Sequence, residues 1–155
     1  MPNNSPRSAP DDVSKGIIEQ LQEDGRRPYA AIGKAVGLSE AAVRQRVQKL
    51  VDTGVMQIVA VTDPMQVGFD RQAMVAISAS GDLKRIAEQL AKIAEVVYLV
   101  IVAGSVDILC EVVVTDDEHL LRLINTQIRS VPGVLRTETF FYLKLTKQIY
   151  NWGAR

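Results

Sequence analysis

The sequence predicts an α+β protein in which an N-terminal helix-turn-helix domain, winged-helix-like, precedes a C-terminal ferredoxin-like βαββαβ sandwich. Three observations lead to this fold class. Apolar residues recur at helical spacing as far as Leu50, alternating apolar strands take over from residue 71, and strands and amphipathic helices then follow in the order β-α-β-β-α-β. With 155 residues, 47% of them hydrophobic, the chain can form one ordinary domain or two small ones.

Composition limits the classes of protein to which the chain can belong. No apolar run reaches the roughly 18 residues of a membrane-spanning helix, so we expect no membrane partner. The single cysteine, Cys110, rules out an internal disulfide and fits a reducing cytoplasm. Residues 1–12 contain three prolines and no apolar block, which predicts a disordered tail rather than a signal peptide, and residues 148–155 are predicted to be a second tail.

The charges of the chain are segregated along the sequence. The 18 basic and 18 acidic residues cancel over the whole chain, but the segment 26–50 contains six basic residues against one acid, Glu40. A local positive patch on a neutral protein is enough for contact with phosphates, because screening weakens the effect of distant charges. A charged surface that is merely solvated is the alternative. The basic residues are Arg26, Arg27, Lys34, Arg44, Arg46 and Lys49.

Residues 13–54 are predicted to form three helices. Apolar residues between Val13 and Leu21 have helical spacing, and that helix ends near Gly25. A second, short helix is broken at Gly37, and Ser39 is well placed to cap the third. Two helices that meet across a short turn with a central glycine are typical of the helix-turn-helix motif.

The third helix has two different faces. At about 100° per residue, Val43, Val47 and Leu50 form an inward stripe. The opposite face combines a small residue and two amides with flanking cations, a combination that suits the major groove of DNA, since Gln can bond adenine and Arg can bond guanine or a phosphate. The exposed face of an ordinary three-helix bundle is the alternative. This outward face comprises Ala41, Arg44, Gln45, Gln48 and Lys49.

We therefore expect the head to bind double-stranded DNA through this face. The residues expected at or near base edges are Ser39, Ala41, Arg44, Gln45 and Gln48. Those expected mainly at phosphates are Arg26, Arg27, Lys34, Arg46 and Lys49.

Residues 55–70 are predicted to connect the two domains. The run Val55–Pro64 is rich in β-branched residues and lacks helical spacing, which predicts a strand closed by Asp63 and Pro64 and able to pair with a neighbour.

Residues 71–147 are predicted to form the ferredoxin-like domain. The predicted elements are a strand at 73–81, a helix at 83–93, strands at 96–104 and 106–115, a helix at 120–131 and a strand at 134–145. In this fold the helices cover one face of the sheet, and here the strand that begins at Val96 is apolar on both faces. A bare apolar face is unusual in water, so we expect it to pack against the same face of a second subunit in an obligate dimer.

The sequence contains no set of residues that indicates catalysis or a metal centre. Cys110 lies on an apolar strand face, as a packed thiol does, and His119 is expected to be solvated. Metal-ligand spacing, a glycine-rich phosphate loop and a Ser/His/Asp set are not evident, so we expect no enzyme, no metal and no cofactor.

The turn between the two central strands is unusually polar. Gly104 and Ser105 form a tight turn, and Asp107 follows it; Thr137 and Thr139 share a face of the last strand. Backbone N–H groups, a carboxylate and hydroxyls together are able to hold a small zwitterion, the carboxylate binding its ammonium. A polar strand end with ordinary cross-strand threonines is the alternative.

In the order and spacing of its motifs the sequence resembles the leucine-responsive/asparagine-regulator (Lrp/AsnC, feast/famine) family of transcription factors. The resemblance covers roughly residues 13–147 and is carried by VGLSEAAVRQRVQKLVDTGVM, AGSVDILCEVVV and VPGVLRTETF. The segments GRRPYAAIGKAVG and NWGAR are similar to actinobacterial members linked to amino-acid catabolism, including that of alanine.

The resemblance implies a DNA-binding head, a domain that senses an amino-acid effector, dimers formed through the sheets and octamers formed from four dimers. It also implies that the effector lies between dimers, around the Gly-x-x-Asp turn and the last strand. Carried over to this sequence, the effector residues are Gly104, Ser105, Val106, Asp107, Thr137 and Thr139.

One position departs from the common helix-turn-helix pattern: Gly33 stands where many such proteins have Ala. Glycine in a helix costs about 1 kcal/mol relative to Ala, so we expect a softer second helix without loss of the fold.

Together these observations predict a sequence-specific transcriptional regulator whose oligomeric state or DNA affinity responds allosterically to a bound amino acid. We expect this regulator to bind inverted half-sites as a dimer and to be cytoplasmic and nucleoid-associated. One alternative is an architectural, nucleoid-type protein that binds DNA and has no effector. Another is an amino-acid-binding enzyme or enzyme-regulatory subunit in which the head is only an interaction module.

Overall fold

The computed structural model describes residues 9–149, and the chain divides into two compact units. Among the described residues, one unit comprises residues 9–60 together with 147–149, and the other comprises residues 61–146. Most of the two predicted tails, residues 1–8 and 150–155, lies outside the described residues. No helix between residues 9 and 149 combines the length and apolarity needed to cross a membrane.

Three helices form the first unit: α1 (Asp12–Glu23), α2 (Tyr29–Val36) and α3 (Glu40–Asp52). The side chain of Asp11 caps α1 by accepting a hydrogen bond from the backbone N–H of Ser14, so α1 begins inside the segment predicted to be a tail. Gly37 ends α2 in the left-handed conformation, with φ of 72°, and Ser39 caps α3 by accepting from the backbone N–H of Ala42. The core between the helices consists of Ile17, Leu21, Ile32, Val43 and Val47.

The turn between α2 and α3 approaches Gly33 so closely that no side chain fits there. A Cβ atom at this position would lie 2.5 Å from the backbone oxygen of Leu38. Gly33 therefore has a packing role, because the alanine common at this position would force the turn away from α2.

The predicted strand at Val55–Pro64 is wrong for the single chain. Residues 56–63 have no strand pairing, and the only regular element of the described connector is a 3-10 turn at Pro64–Gln66. Within this chain the segment finds no neighbouring strand to satisfy its backbone groups, and strand structure requires such a partner.

The second unit has the predicted ferredoxin-like order and confirms the α+β fold class. Its elements are β1 (Arg71–Ala79), α4 (Leu83–Leu90), β2 (Val96–Ile101), β3 (Ile108–Val114), α5 (Asp117–Arg122) with a π-helical turn (Leu123–Ile128), and β4 (Val134–Phe141). The four strands pair antiparallel in the order β2-β3-β1-β4. Side chains of α4, α5 and the π-helical turn pack with those of the sheet in one core, which includes Val75, Ile77, Leu90, Ile108, Cys110 and Leu123.

Two irregularities in the sheet change which residues share a face. The register of β2 shifts between Val96 and Tyr98, so Val96 and Leu99 both pack on the core while Val97 is exposed. Simple alternation predicted that Val96 and Leu99 would lie on opposite faces, and the extra residue makes that prediction wrong. In the same way, an irregularity between Ser78 and Ala79 leaves Leu135 of β4 without a partner in the register.

The helix predicted at 120–131 is α-helical only at its start. From Leu123 the backbone widens into a π-helical turn, in which the N–H of Arg129 donates to the carbonyl of Ile124. As a result Leu123 and Ile128, five positions apart, are both fully buried. Leu121, which the sequence assigned to the apolar face, lies in α5 before the turn and is 62% exposed.

Candidate nucleic-acid interface and ligand site

The outward face of α3 is an exposed polar surface, whereas Val43, Val47 and Leu50 of the same helix are buried. The helix repeat separates the two sets because the buried stripe packs on the core of the first unit. The exposed face forms an open, shallow depression lined by Ala41, Arg44, Gln45, Gln48, Lys49 and Asp52.

Arg44 is held on this face by two partners. One turn earlier, the Oε1 atom of Glu40 lies 3.1 Å from the guanidinium of Arg44. The guanidinium carbon also lies 5.3 Å from the ring centroid of Tyr29, the first residue of α2. Sequence reasoning did not include Tyr29, because its contact with Arg44 crosses from one helix to the other.

Three other predicted DNA-binding residues of α3 have different surroundings. The side-chain amide of Gln48 donates to Asp52 Oδ1 at 2.8 Å, which fixes the orientation of that amide in the free chain. Gln45 and Lys49 are exposed, as are Arg26 and Lys34 outside α3. All five side chains are therefore accessible to DNA.

Three of the ten predicted DNA-binding residues are engaged inside the head. The hydroxyl of Ser39 caps α3. Arg27 donates to Gln20 Oε1 at 2.6 Å and to Glu23 Oε2 at 3.0 Å, both on α1. Arg46 donates to Asp11 Oδ2 at 2.8 Å and to Ser14 Oγ at 3.0 Å, which fastens α3 to the start of α1.

The predicted effector turn, at residues 104–107, lies in the connection between β2 and β3. Asp107 organises it: its backbone oxygen accepts from the N–H of Val102, and its N–H donates to the carbonyl of Ile77. Its Oδ2 atom accepts from the N–H of Ala79 at 2.8 Å, so the carboxylate has a structural partner at the end of β1. Ala103, Gly104 and Ser105 are exposed, and a Cβ atom at Gly104 would meet nothing within 4 Å.

Thr137 and Thr139 lie on β4 opposite Ile77 and Val75, on the face of the sheet that the helices cover. The carbonyl of Ile77 also receives the N–H of Asp107, so β1 carries the turn on one side and Thr137 on the other. Arg129 was missed by sequence reasoning because the π-helical turn changes the phase of its helix. Its Nε donates to Thr137 Oγ1 at 2.9 Å and its Nη1 to Asn125 Oδ1 at 3.1 Å.

The two side chains considered for chemistry have structural surroundings. Cys110 is fully buried in the core, and burial raises the pKa of its thiol to about 11. His119 is half-buried and hydrogen-bonded rather than simply solvated, because the sheet brings Glu95 beside the start of α5. His119 Nε2 lies 3.0 Å from Glu95 Oε1, and Nδ1 lies 3.2 Å from Thr115 Oγ1. Between residues 9 and 149 no three side chains of His, Cys, Asp or Glu are grouped to hold a metal ion.

Comparison with known proteins assigns both units to one family. The AsnC-type helix-turn-helix domain matches residues 11–51, and the Lrp/AsnC ligand binding domain matches residues 72–152. Over 145 residues the chain is 35% identical to an uncharacterised helix-turn-helix-type transcriptional regulator of Pyrococcus horikoshii, a match that covers 92% of this chain and 89% of that protein. It is 29% identical over 134 residues to the transcriptional regulator AldR of Mycobacterium tuberculosis, covering 83% of this chain and 75% of that protein.

A solved structure agrees with these matches. The L-Met complex of a transcriptional regulator from Neisseria meningitidis superposes with a TM-score of 0.79 at 26% identity, covering 91% of this chain and 94% of that one. The relatives are regulators rather than enzymes, which excludes the enzyme alternative raised by the sequence. The chain belongs to the Lrp/AsnC family: it is a DNA-binding transcriptional regulator with a C-terminal ligand-binding domain.

Proposed function

We propose that this regulator reads DNA through the outward face of α3 and that a bound amino acid changes its DNA affinity or its assembly. The observation that carries the first half is the exposed surface on which a guanidinium and two amides stand beside Lys49. Ala41, Arg44, Gln45 and Gln48 lie at or near base edges, and Arg26, Lys34 and Lys49 contact phosphates. Ser39, Arg27 and Arg46 act mainly by holding the head together.

An amino acid suits the turn at residues 104–107 for a chemical reason. One oxygen of the Asp107 carboxylate accepts from Ala79, and the other is left for an ammonium group. The exposed backbone at Gly104 and Ser105 offers N–H groups to a carboxylate. The matching ligand-binding domain and the L-Met complex of the Neisseria meningitidis relative support this class of effector.

The remaining proposed effector residues are Val106, which is half-buried in the turn, and Thr137 and Thr139 on β4. We place the effector between dimers, so that binding favours one arrangement of dimers in an octamer over another. Coupling of this kind typically changes DNA affinity about 5- to 150-fold.

The dimer is proposed to form through the sheet face that carries no helices. Tyr98 and Phe140 on this face are 53% and 50% exposed, and Met74 lies beside Phe140 in the register. Glu111 stands among them and accepts a hydrogen bond from Gln72. An apolar face of this extent is stabilised when a second copy covers it.

Thermal unfolding in the presence of each of the twenty amino acids tests the sensor. A ligand at 100 times its Kd stabilises a protein by about 2.7 kcal/mol when it binds only the folded state. We expect such a shift for one or a few amino acids, together with a change in the affinity for duplex DNA. A flat panel would contradict the sensor and would favour an architectural DNA-binding protein.

Two variants locate the site. Asp107→Asn keeps an oxygen for the N–H of Ala79 but loses the charge, so it should unfold like the wild type without ligand and lose the ligand-induced shift. Gly104→Val fills space that the chain leaves empty, so it should block the ligand at little cost to the fold. Full ligand response in both variants would place the amino acid elsewhere.

A further inference from the structure

Tyr29 joins the core of the head to its DNA-facing surface. Its half-buried ring packs against the core of the first unit, which limits its motion. The guanidinium carbon of Arg44 lies 5.3 Å from the ring centroid, within the about 6 Å at which a cation is attracted to an aromatic ring. The ring therefore connects the first residue of α2 with the exposed face of α3.

The contact with the ring and the contact with Glu40 differ in how many N–H groups of Arg44 they leave free. The carboxylate of Glu40 accepts from an N–H of Arg44 and competes with any base for that donor. Attraction to a ring uses the charge of the guanidinium and its flat face, and leaves the N–H edge available. The ring contact thus leaves every donor of Arg44 available for paired donation to O6 and N7 of guanine, whereas Glu40 occupies one of them.

We propose that Tyr29 is a positioning residue that determines base specificity through Arg44. It holds the guanidinium in place before DNA arrives, so that less side-chain freedom is lost when Arg44 donates to a base. The proposal rests on the base-reading role of Arg44 proposed above, and it adds a residue outside the recognition helix to the determinants of specificity.

Selection from a pool of randomised DNA duplexes tests the proposal, with the full-length chain as bait. Tyr29→Phe keeps the ring and should select the same bases as the wild type. Tyr29→Leu and Tyr29→Met keep apolar packing but lack the ring, and they should weaken the preference at the base pair read by Arg44 about two- to five-fold. The salt dependence of binding should stay unchanged, because no phosphate contact is removed.

A double-mutant cycle separates positioning from a general effect on the fold. In an Arg44→Ala background, Tyr29→Leu and Tyr29→Met should have no further effect on base preference, because the side chain through which the ring acts is absent. An equal loss in both backgrounds would overturn the proposal, since the ring would then act through the stability of the head. Unchanged base preference in the two ring-free variants would overturn it as well.

The failure of the underlying function has a different signature. If the wild type selects duplexes without any base preference, the base-reading role of Arg44 is wrong and the inference about Tyr29 falls with it. If the wild type and Tyr29→Leu select the same bases, only the inference fails.

Discussion

Side chains of equal charge have different roles in the head of this regulator. Arg44 and Arg46 are two positions apart on α3 and point to different sides of the helix. Arg44 is exposed beside Gln45, whereas Arg46 is bonded to Asp11 and Ser14 at the start of α1. The Ser14 hydroxyl and the Arg46 guanidinium hold the pKa of the Asp11 carboxyl below its ordinary value. This arrangement gives Arg46 a structural role that its charge alone does not reveal.

Replacing Arg46 should therefore change the stability of the head, whereas replacing Lys49 should change its binding to DNA. Arg46→Gln breaks the link between α1 and α3 and should lower the unfolding temperature by a few degrees, with little change in the salt dependence of DNA binding. Lys49→Ala should leave the unfolding temperature unchanged and reduce the slope of log affinity against log salt by about one unit. Melting curves and salt titrations on a duplex check both. A reduced slope in Arg46→Gln would restore Arg46 to the phosphate contacts.

Gly33→Ala should destabilise the protein, although helix propensity alone predicts a gain of about 1 kcal/mol. The added methyl group would lie 2.5 Å from the backbone oxygen of Leu38, and overpacking of this kind typically costs about 1–3 kcal/mol. The free energy of unfolding in urea measures the sign. Ala31→Gly, at an exposed site of the same helix, serves as the control for propensity and should cost about 1 kcal/mol. A Gly33→Ala variant that is more stable than the wild type would show that the turn at Leu38 can move away from α2 at little cost.

The Cys110 thiol should make the protein less stable at high pH. Its pKa rises from 9.0 to about 11 on burial, so the unfolded chain loses this proton first. The contribution to stability is complete below pH 9.0 and disappears as the pH rises to about 11, a loss of about 2 kcal/mol. Unfolding in urea across this range, with Cys110→Ala as reference, isolates the effect. Equal pH dependence in the two proteins would contradict it.

At the level of the elements, single extra residues decide which side chains reach the core. The irregularity in β2 puts Val96 and Leu99 on one face, and the π-helical turn aligns Leu123 with Ile128. Both features arise where the backbone departs from its regular repeat, so a fixed repeat assigns the residues beyond them to the wrong face.

Leu121 and Leu123 provide a matched pair that tests which leucine packs on the core where α5 meets the π-helical turn. Leu123→Ala should cost about 2–5 kcal/mol because the side chain is fully buried, and Leu121→Ala should change stability by less than about 0.5 kcal/mol because it is exposed. Denaturation in urea gives both values. The reverse order of costs would show that Leu121, rather than Leu123, packs on the core.

At the level of the whole molecule, a net charge of zero conceals an uneven distribution of charge along the chain. The six basic residues of segment 26–50 lie in the DNA-binding head, and most of the compensating acidic residues lie elsewhere in the chain. The second unit leaves one sheet face without helices, with Tyr98 and Phe140 exposed on it. A protein with such a face is expected to function as an assembly of copies.

Tyr98→Glu should dissociate the proposed dimer. The new carboxylate would lie opposite Glu111 in the register, so two like charges would meet in the interface. An uncompensated buried charge costs about 3 kcal/mol or more, which corresponds to about a 100-fold higher Kd of self-association. Sedimentation at several protein concentrations measures it, with Leu121→Glu, an exposed site on α5, as control. An intact dimer in Tyr98→Glu would place the interface elsewhere.

The sequence by itself determined the order of the elements, the capping by Ser39, the turn at Gly37 and the two faces of α3. These features depend on residues a few positions apart, and short-range spacing is what a sequence displays directly. The polar turn at residues 104–107 was likewise visible as a candidate site, and its role as an effector site stays a prediction.

Only the tertiary structure decided which cations remain free, where the strands slip and what Gly33 accommodates. Arg46 meets Asp11 across 35 positions of the chain, and Tyr29 meets Arg44 across two helices. The irregularity in β2 is visible only in its pairing with β3. The lack of room for a methyl group at Gly33 is visible only once the turn at Leu38 is in place. Each depends on contacts between segments that fold together, and periodicity within one segment carries no information about its partners.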